Sequence, residues 1–261
     1  MIEGKRVVVV LPAYNAERTL QQTVLELSGL IDDRILVDDY SSDATVHIAR
    51  RLGLTVLLHD RNCGYGRNQK TCYRAALDRG ADIVVMVHPD YQYTPRLVVP
   101  MAGMVASGVY DVVIGSRILA GGALRGGMPF YKYASNRSLT ALQNLLLGAR
   151  LSEYHTGFRA YSKEVLRALP FERFSDNFLF DNQLLAECIL LGARIGEISC
   201  PTHYFPEASS IGFLRSCEYG LGVLKTTLVC AGRRLSSRRG NRLGIGAPSP
   251  TGAPTQPSSG T

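Results

Sequence analysis

The run Arg6–Leu11 (RVVVVL) holds no polar residue after the arginine and does not alternate. A strand with one face in water needs a polar residue at every second position, so this run predicts a strand covered on both sides. The next hundred residues supply the covering layers. Glu17–Gly29 sets Leu20, Val24 and Leu27 at helical spacing and ends in glycine, and Arg34–Val37 is a second short strand. Asp43 opens a helix to about Gly53, Leu54–Leu58 makes a third strand, and Asn68–Arg79 is helical. Asp82–Val87 (DIVVMV), a helix over Pro95–Ser107 and Asp111–Ile114 (DVVI) complete the alternation. Strands alternating with helices predict an α/β fold with a mostly parallel central sheet and helices on both faces.

The 261 residues carry a formal charge of +7 and are 46% hydrophobic, which excludes a disordered chain and is enough for a sizeable core. A net positive charge admits nucleic acid, an anionic membrane surface or anionic small molecules as partners. Residues 231–261 hold Arg233, Arg234, Arg238, Arg239 and Arg242 and no acid, so most of the excess lies there and the rest of the chain is nearly balanced. That placement argues against a nucleic-acid module, which spreads its basic residues over a folded face. Six cysteines without a C-x-x-C pair read as free thiols in a reducing compartment. Lys5-Arg6 lead into a strand rather than a signal peptide, and no apolar stretch is long enough to span a bilayer. A cytoplasmic protein, peripheral at the cytoplasmic membrane face, is expected.

In parallel α/β sheets ligands bind at the carboxyl ends of the strands, and five segments converge there. They are Pro12-Ala13-Tyr14-Asn15-Ala16-Glu17, Asp38-Asp39-Tyr40-Ser41-Ser42-Asp43, Asn62-Cys63-Gly64-Tyr65-Gly66, His88-Pro89-Asp90-Tyr91-Gln92 and Gly115-Ser116-Arg117. Asp43 alone reads as a helix cap. Two adjacent carboxylates at a strand end exceed what a cap needs, so Asp38 and Asp39 point to a ligand such as a base or a ribose, with Tyr14 able to stack on it. His88, Asp90 and Gln92 alternate and share one side of an extended segment. They offer an imidazole, a carboxylate and an amide oxygen to a divalent ion bound by a diphosphate. Asn62-x-Gly64-x-Gly66 is a tight, backbone-exposing turn beside a nucleotide. It is a weak dinucleotide signal, lacking a third glycine. Arg67 and Lys70 read as a solvated helix face.

Together LPAYNAERTL, ILVDDYSSDAT, NCGYGRNQK, HPDYQY and VIGSR resemble, in order and spacing, the family 2 glycosyltransferases. The resemblance is strongest to their dolichyl-phosphate mannose synthase and polyprenyl-phosphate branch, whose acceptor region is similar to MPFYKYASNR, EYHTGFRAYS and NFLFDNQLL. The resemblance implies a GT-A fold, a nucleotide-diphosphate sugar donor, a divalent cation (Mg²⁺ or Mn²⁺) and inversion at the anomeric carbon. It implies that Pro12, Tyr14, Glu17 and Asp39 hold the nucleoside. Asp90, with His88 and Gln92, would hold the metal and diphosphate, and Arg117 and Arg137 would bind a lipid phosphate. Glu153 falls where the branch has an acidic residue before a Ser-Gly-Phe-like turn. In this chain His88 replaces the first aspartate of the family's D-x-D.

An ionised lipid phosphate needs cationic groups, for which Arg117, Arg137 and Lys132 are candidates. A sugar hydroxyl needs a general base, and Glu153 or His155 is then the candidate. A hydroxyl-directed transferase and a catalytically silent nucleotide-sugar binder stay open beside the lipid-phosphate reading. Arg159 reads equally as structural or catalytic, and Asp181 as a helix cap. Residues 1–210 are expected to form the transferase domain, 1–117 its donor half and 118–210 its acceptor half. Residues 211–231 (Leu214, Cys217, Leu221, Leu224, Leu228) read as an amphipathic helix, and 232–261 as a disordered basic tail suited to an anionic membrane.

Overall fold

The computed structural model describes residues 1–202 and 213–242, with side chains of the last stretch described for 216–236. The chain runs β1 (Val7–Ala13), α1 (Leu20–Leu25), β2 (Asp33–Asp38), α2 (Thr45–Arg51), β3 (Thr55–Leu58), α3 (Tyr65–Asp78), β4 (Ile83–Met86), a 3-10 turn at Pro95–Leu97, α4 (Val98–Ala106) and β5 (Val112–Ser116). It continues with α5 (Gly122–Arg125), α6 (Phe130–Leu147), β6 (Arg159–Ser162), α7 (Lys163–Ala168), a 3-10 turn at Phe171–Arg173, α8 (Leu179–Leu190), β7 (Ile195–Ser199) and α9 (Phe213–Arg242). The seven strands form one sheet in the order β3-β2-β1-β4-β6-β5-β7.

The unbroken apolar run divides between two cores as the pleat requires. Val8 and Val10 pack with Tyr73, Ala76, Leu184 and Leu185 of α3 and α8. Val7, Val9 and Leu11 pack with Leu20, Val24, Met101 and Ala102 of α1 and α4. All seven residues of β1 are buried.

Residues 1–117 and the segment that follows them share this one sheet. The segment read only as part of the acceptor region contributes β6, which lies between β4 and β5 and runs antiparallel to both. Met86 and Ile114, near the carboxyl ends of β4 and β5, both pair with Arg159 at the start of β6. An antiparallel strand begins where its neighbours end, so residues 153–158 are delivered to the same edge as the donor loops.

The C-terminal helix corrects the expected boundary at 231, since α9 continues to Arg242. Its buried face is Val223, Thr227, Cys230 and Ala231, packed toward α6 and α8. Leu221 and Leu228 of the expected apolar stripe, with Val229 and Leu235, are exposed. Arg233 and Arg234, expected in a tail, are docked: Arg233 pairs with Glu187, and Arg234 donates to the Leu146 carbonyl at the end of α6. The tail expected beyond residue 242 lies outside the described residues. No helix among the described residues is long and apolar enough to cross a membrane.

Candidate active site

The first two loops interlock. Asp43 accepts the Thr45 N–H (3.0 Å), satisfying an open donor of α2, and also the Glu17 N–H (3.1 Å). Glu17 returns a carboxylate oxygen to the Ala44 N–H (2.9 Å), and Asn15 accepts from Ser42 (2.9 Å). Glu17 thus joins the loops after β1 and β2, while Tyr14 beside it stays exposed and Pro12 is buried within β1.

The two carboxylates at the end of β2 differ. Asp39 accepts from the backbone of Cys63 (2.8 Å) and Gly64 (2.9 Å), and its Oδ1 lies 2.7 Å from His59 Nδ1. It therefore holds the Asn62–Gly66 turn against the sheet. Asp38 accepts from Ser41 through Oδ2 (2.9 Å), and its Oδ1 is buried without a hydrogen-bond partner among the described residues. A buried acceptor without a donor is costly, so Asp38 is the group whose geometry asks for a ligand. Asn62 is exposed at the lip of the turn.

Gly64 and Gly66 belong to a packing contact. A Cβ on Gly64 would lie 2.8 Å from the Asp176 carbonyl, and one on Gly66 2.4 Å from that of Ser175. Asp176 accepts the Gly66 N–H (2.8 Å), closing the start of α3 to a phosphate. Lys70 is a correction: the expected solvated residue is buried, donating to the carbonyls of Glu172 (3.2 Å) and Phe174 (2.5 Å) and to Asp176 (2.7 Å). Arg67 is exposed, as a solvated face requires.

Past β4, His88 and Asp90 are half-buried and Gln92 is buried. Asp90 accepts the Gln92 N–H through Oδ1 (3.1 Å). The His88 ring lies against Tyr65, centroids 5.4 Å apart and nearly parallel, with Nε2 3.1 Å from the phenol oxygen. Tyr65 donates to Asp181 (2.5 Å). Asp181 does not cap α8; it is inside the helix, whose cap position is Phe178, and it faces the site. The segment is a turn and not the extended run expected, with Tyr91 at a φ of 56°, so strand alternation does not set the directions of its side chains. A carboxylate, an imidazole and an amide within five residues are still donor types that fit a divalent cation.

Arg117 and Glu153 form a buried pair at the end of β5. Arg117 donates through its backbone N–H and Nε, both at 2.8 Å, and Asn136 donates to the same carboxylate at 2.8 Å. Burial works to raise the Glu153 pKa, but the charge and hydrogen bonds of Arg117 overcome it and hold the group below the usual carboxylate range. Burial pushes the His155 imidazole down to about 4. His155 Nδ1 contacts Tyr219 of α9 (2.8 Å), and its Nε2 is buried without a partner among the described residues. Burial, then the Arg117 charge, lowers the Lys132 pKa. Arg137 donates to the Ser152 carbonyl (3.0 Å) and lines an open cleft of about 510 Å³ with Tyr133, Asn144, Arg150 and Glu197. Arg159 is fully buried and donates to the carbonyls of Tyr154, Thr156 and Asp181, which is a structural role.

Residue-type reasoning passed over Tyr65, His59, Asn136 and Gly157. Tyr65 stood inside a quoted motif and His59 directly after the third strand, so position at a strand end was a usable signal. Asn136 and Gly157 matter through contacts distant in sequence.

The profile described as Glycosyl transferase family 2 matches residues 8–169. The UDP-N-acetylglucosamine–dolichyl-phosphate N-acetylglucosaminyltransferase of Methanococcus voltae is 26% identical, over 77% of this chain and 86% of that protein. The undecaprenyl-phosphate mannosyltransferase of Micrococcus luteus is 27% identical, over 74% and 82%. Among solved structures, the glucosyl-3-phosphoglycerate synthase of Mycobacterium tuberculosis with Mn²⁺ and UDP-glucose superposes with a TM-score of 0.68 at 25% identity, covering 88% of this chain and 80% of that one.

Proposed function

The chain belongs to glycosyl transferase family 2, and on that premise we propose that it transfers a sugar from a nucleotide-diphosphate donor to a polyprenyl phosphate, with inversion at the anomeric carbon. The observation that carries the acceptor is the state of the two base candidates. Glu153 is enclosed by Arg117 and Asn136, and the His155 pKa lies far below neutral. A sugar hydroxyl would need one of them to take its proton, whereas a phosphate monoester oxygen is already ionised near neutral pH. The phosphate oxygen forms the bond to the anomeric carbon as the bond to the donor diphosphate breaks, and no proton has to move. Lys132 and Arg117, with Arg137 at the neighbouring cleft, provide the cationic groups such an acceptor needs. The two lipid-phosphate transferases that the chain resembles support the same acceptor class.

On the donor side, Pro12 and Tyr14 border the nucleoside, and Asp38 offers it the unpartnered oxygen. Asp39 and Glu17 fix the surrounding loops and, with Asn62 and Gly64, shape its pocket. Asp90, His88 and Gln92 would hold Mg²⁺ or Mn²⁺, which when bound neutralises charge on the departing diphosphate. The Mn²⁺ and UDP-glucose in the mycobacterial structure support this donor and cation. The exposed leucines of α9 are suited to an anionic membrane surface, where a lipid acceptor resides.

The test is a detergent assay with nucleotide sugars, Mg²⁺ or Mn²⁺ and polyprenyl phosphate, following both nucleoside diphosphate release and label on the lipid. Labelled lipid is expected. Transfer to saccharides or small hydroxyl acceptors, with none to the lipid, would replace this acceptor with the hydroxyl-directed reading. Donor binding without turnover under any cation would leave a silent binder.

A further inference from the structure

We propose that Tyr65 is a positioning residue for His88: it fixes which ring nitrogen carries the proton, and so makes the imidazole a metal ligand in the place of a carboxylate. The inference rests on the reading of His88, Asp90 and Gln92 as the cation-holding segment. A phenol has one proton to give. The Tyr65 hydroxyl lies 2.5 Å from Asp181 Oδ2, and an ionised carboxylate only accepts, so the proton is directed there. The Arg159 guanidinium anchors the same residue by donating to the Asp181 backbone carbonyl at 2.6 Å, and Asp181 Oδ1 is buried without a hydrogen-bond partner among the described residues. The phenol oxygen therefore faces His88 Nε2, at 3.1 Å, as an acceptor. Nε2 then carries hydrogen, so the nitrogen this contact leaves to offer a lone pair to a metal is Nδ1.

The surroundings hold this chain of groups in place. Tyr65 is stacked between His88 and Phe178, with ring centroids 5.4 and 4.6 Å away. Gly157 leaves the space the imidazole fills, since a Cβ there would lie 2.4 Å from Nε2 and 3.1 Å from the Tyr65 oxygen. Histidine ligands of metals commonly donate their second N–H to an outer acceptor, which orients the ring and raises its basicity. Here the acceptor is a phenol polarised by a carboxylate from α8. An imidazole in the ligand set also favours Mn²⁺ over the harder Mg²⁺.

The experiment uses the full chain with Mn²⁺ and whichever of UDP or GDP raises its thermal midpoint. Pulsed electron paramagnetic resonance reads ¹⁴N coupling to Mn²⁺, and titration gives its affinity. Wild type is expected to show directly bound imidazole nitrogen. Tyr65→Phe keeps the stacked ring and is expected to lose that signal, with Mn²⁺ affinity about 10- to 100-fold lower. In a His88→Asp background, Tyr65→Phe should change Mn²⁺ affinity by less than about twofold, because a carboxylate has no tautomer to set. An equal loss in both backgrounds would reduce Tyr65 to a packing residue and overturn the proposal. So would Mn²⁺ binding that depends on Asp90 but shows no ¹⁴N coupling in wild type, and that result leaves the transferase reading intact. Mn²⁺ binding unaltered by Asp90→Ala would instead overturn the metal segment itself.

Discussion

Arg117 reaches both carboxylate oxygens of Glu153, its backbone N–H to Oε2 and its Nε to Oε1, each at 2.8 Å, and the carboxylate they enclose has no solvent exposure. The pair ties the end of β5 to the segment leading into β6. Removing one member of a buried pair strands the other charge. Glu153→Ala is therefore expected to cost roughly 3–5 kcal/mol of stability, measured as the shift in urea unfolding free energy. A residue acting only as a general base would lose turnover at nearly unchanged stability. That result would return Glu153 to a proton-transfer role.

His155 should make stability depend on pH. Its folded pKa is about 4, and burial is the main cause. An unfolded histidine titrates near 6.5. Between these values the unfolded chain binds more protons, so stability is complete above about pH 6.5 and falls as pH drops toward 4. The full loss is roughly 3 kcal/mol. His155→Gln should flatten the difference between unfolding free energies at pH 7.5 and 5. Identical pH slopes in variant and wild type would show that the imidazole is not buried in neutral form.

Gly66→Ala should be poorly tolerated. The added carbon meets the Ser175 carbonyl at 2.4 Å, Phe180 Cβ at 2.8 Å and the Asn177 carbonyl at 2.9 Å, and two of these three are backbone atoms. Overpacking against backbone costs about 1–3 kcal/mol, and the displaced turn is the one Asp39 holds. A fall in melting temperature together with weaker nucleotide binding is expected. Gly103→Ala, where a Cβ meets nothing within 4 Å, is the control.

Lys70→Met keeps the buried stem and removes the donor. The carbonyls of Glu172 and Phe174 and the Asp176 carboxylate then lose their shared ammonium. A cost of about 2–3 kcal/mol follows from the unmet acceptors. Amide hydrogen exchange should accelerate selectively over 172–178. Protection there equal to that of wild type would mean the loop is held by other contacts.

On α9, Leu221, Leu228 and Leu235 recur every seven residues and are each more than 60% exposed. Replacing all three with serine should leave the melting temperature within a degree or two, since exposed substitutions change stability little. Flotation with anionic liposomes should fall sharply. Unchanged flotation would remove these leucines from any membrane contact.

Much of the architecture was legible because it is written in local patterns. The polar-free β1 called for two covering layers, and β2 to β5 were found within one or two residues, while β6 and β7 were not read as strands. The loops at the strand ends were visible for the same reason. What could not be read was set by partners far along the chain. Arg159–Ser162 (RAYS) has too little apolar character to announce a central strand; it is one because β4 and β5 both pair with it. Lys70 looked solvated because its carbonyl partners lie a hundred residues away. On α9 the expected stripe of Leu221 and Leu228 is exposed. The packed side is instead the small-residue face with Val223 and Thr227, which lets the helix approach α6 and α8 closely.

The place of β6 also dictates an order of assembly. β5 joins β4 only through β6, so the sheet cannot be completed from residues 1–150. During synthesis β5 would wait, without a strand partner, for at least 43 further residues to emerge from Ser116 to Arg159. Pairing of β6 inserts a strand between two others already synthesised, and β7 follows on the outer edge of β5. Such non-local closure is slow, and the waiting edges are open to pairing with another chain. Productive folding of this chain therefore depends on a late event at its centre, with the donor loops and the Glu153–Gly157 segment brought together only when it occurs.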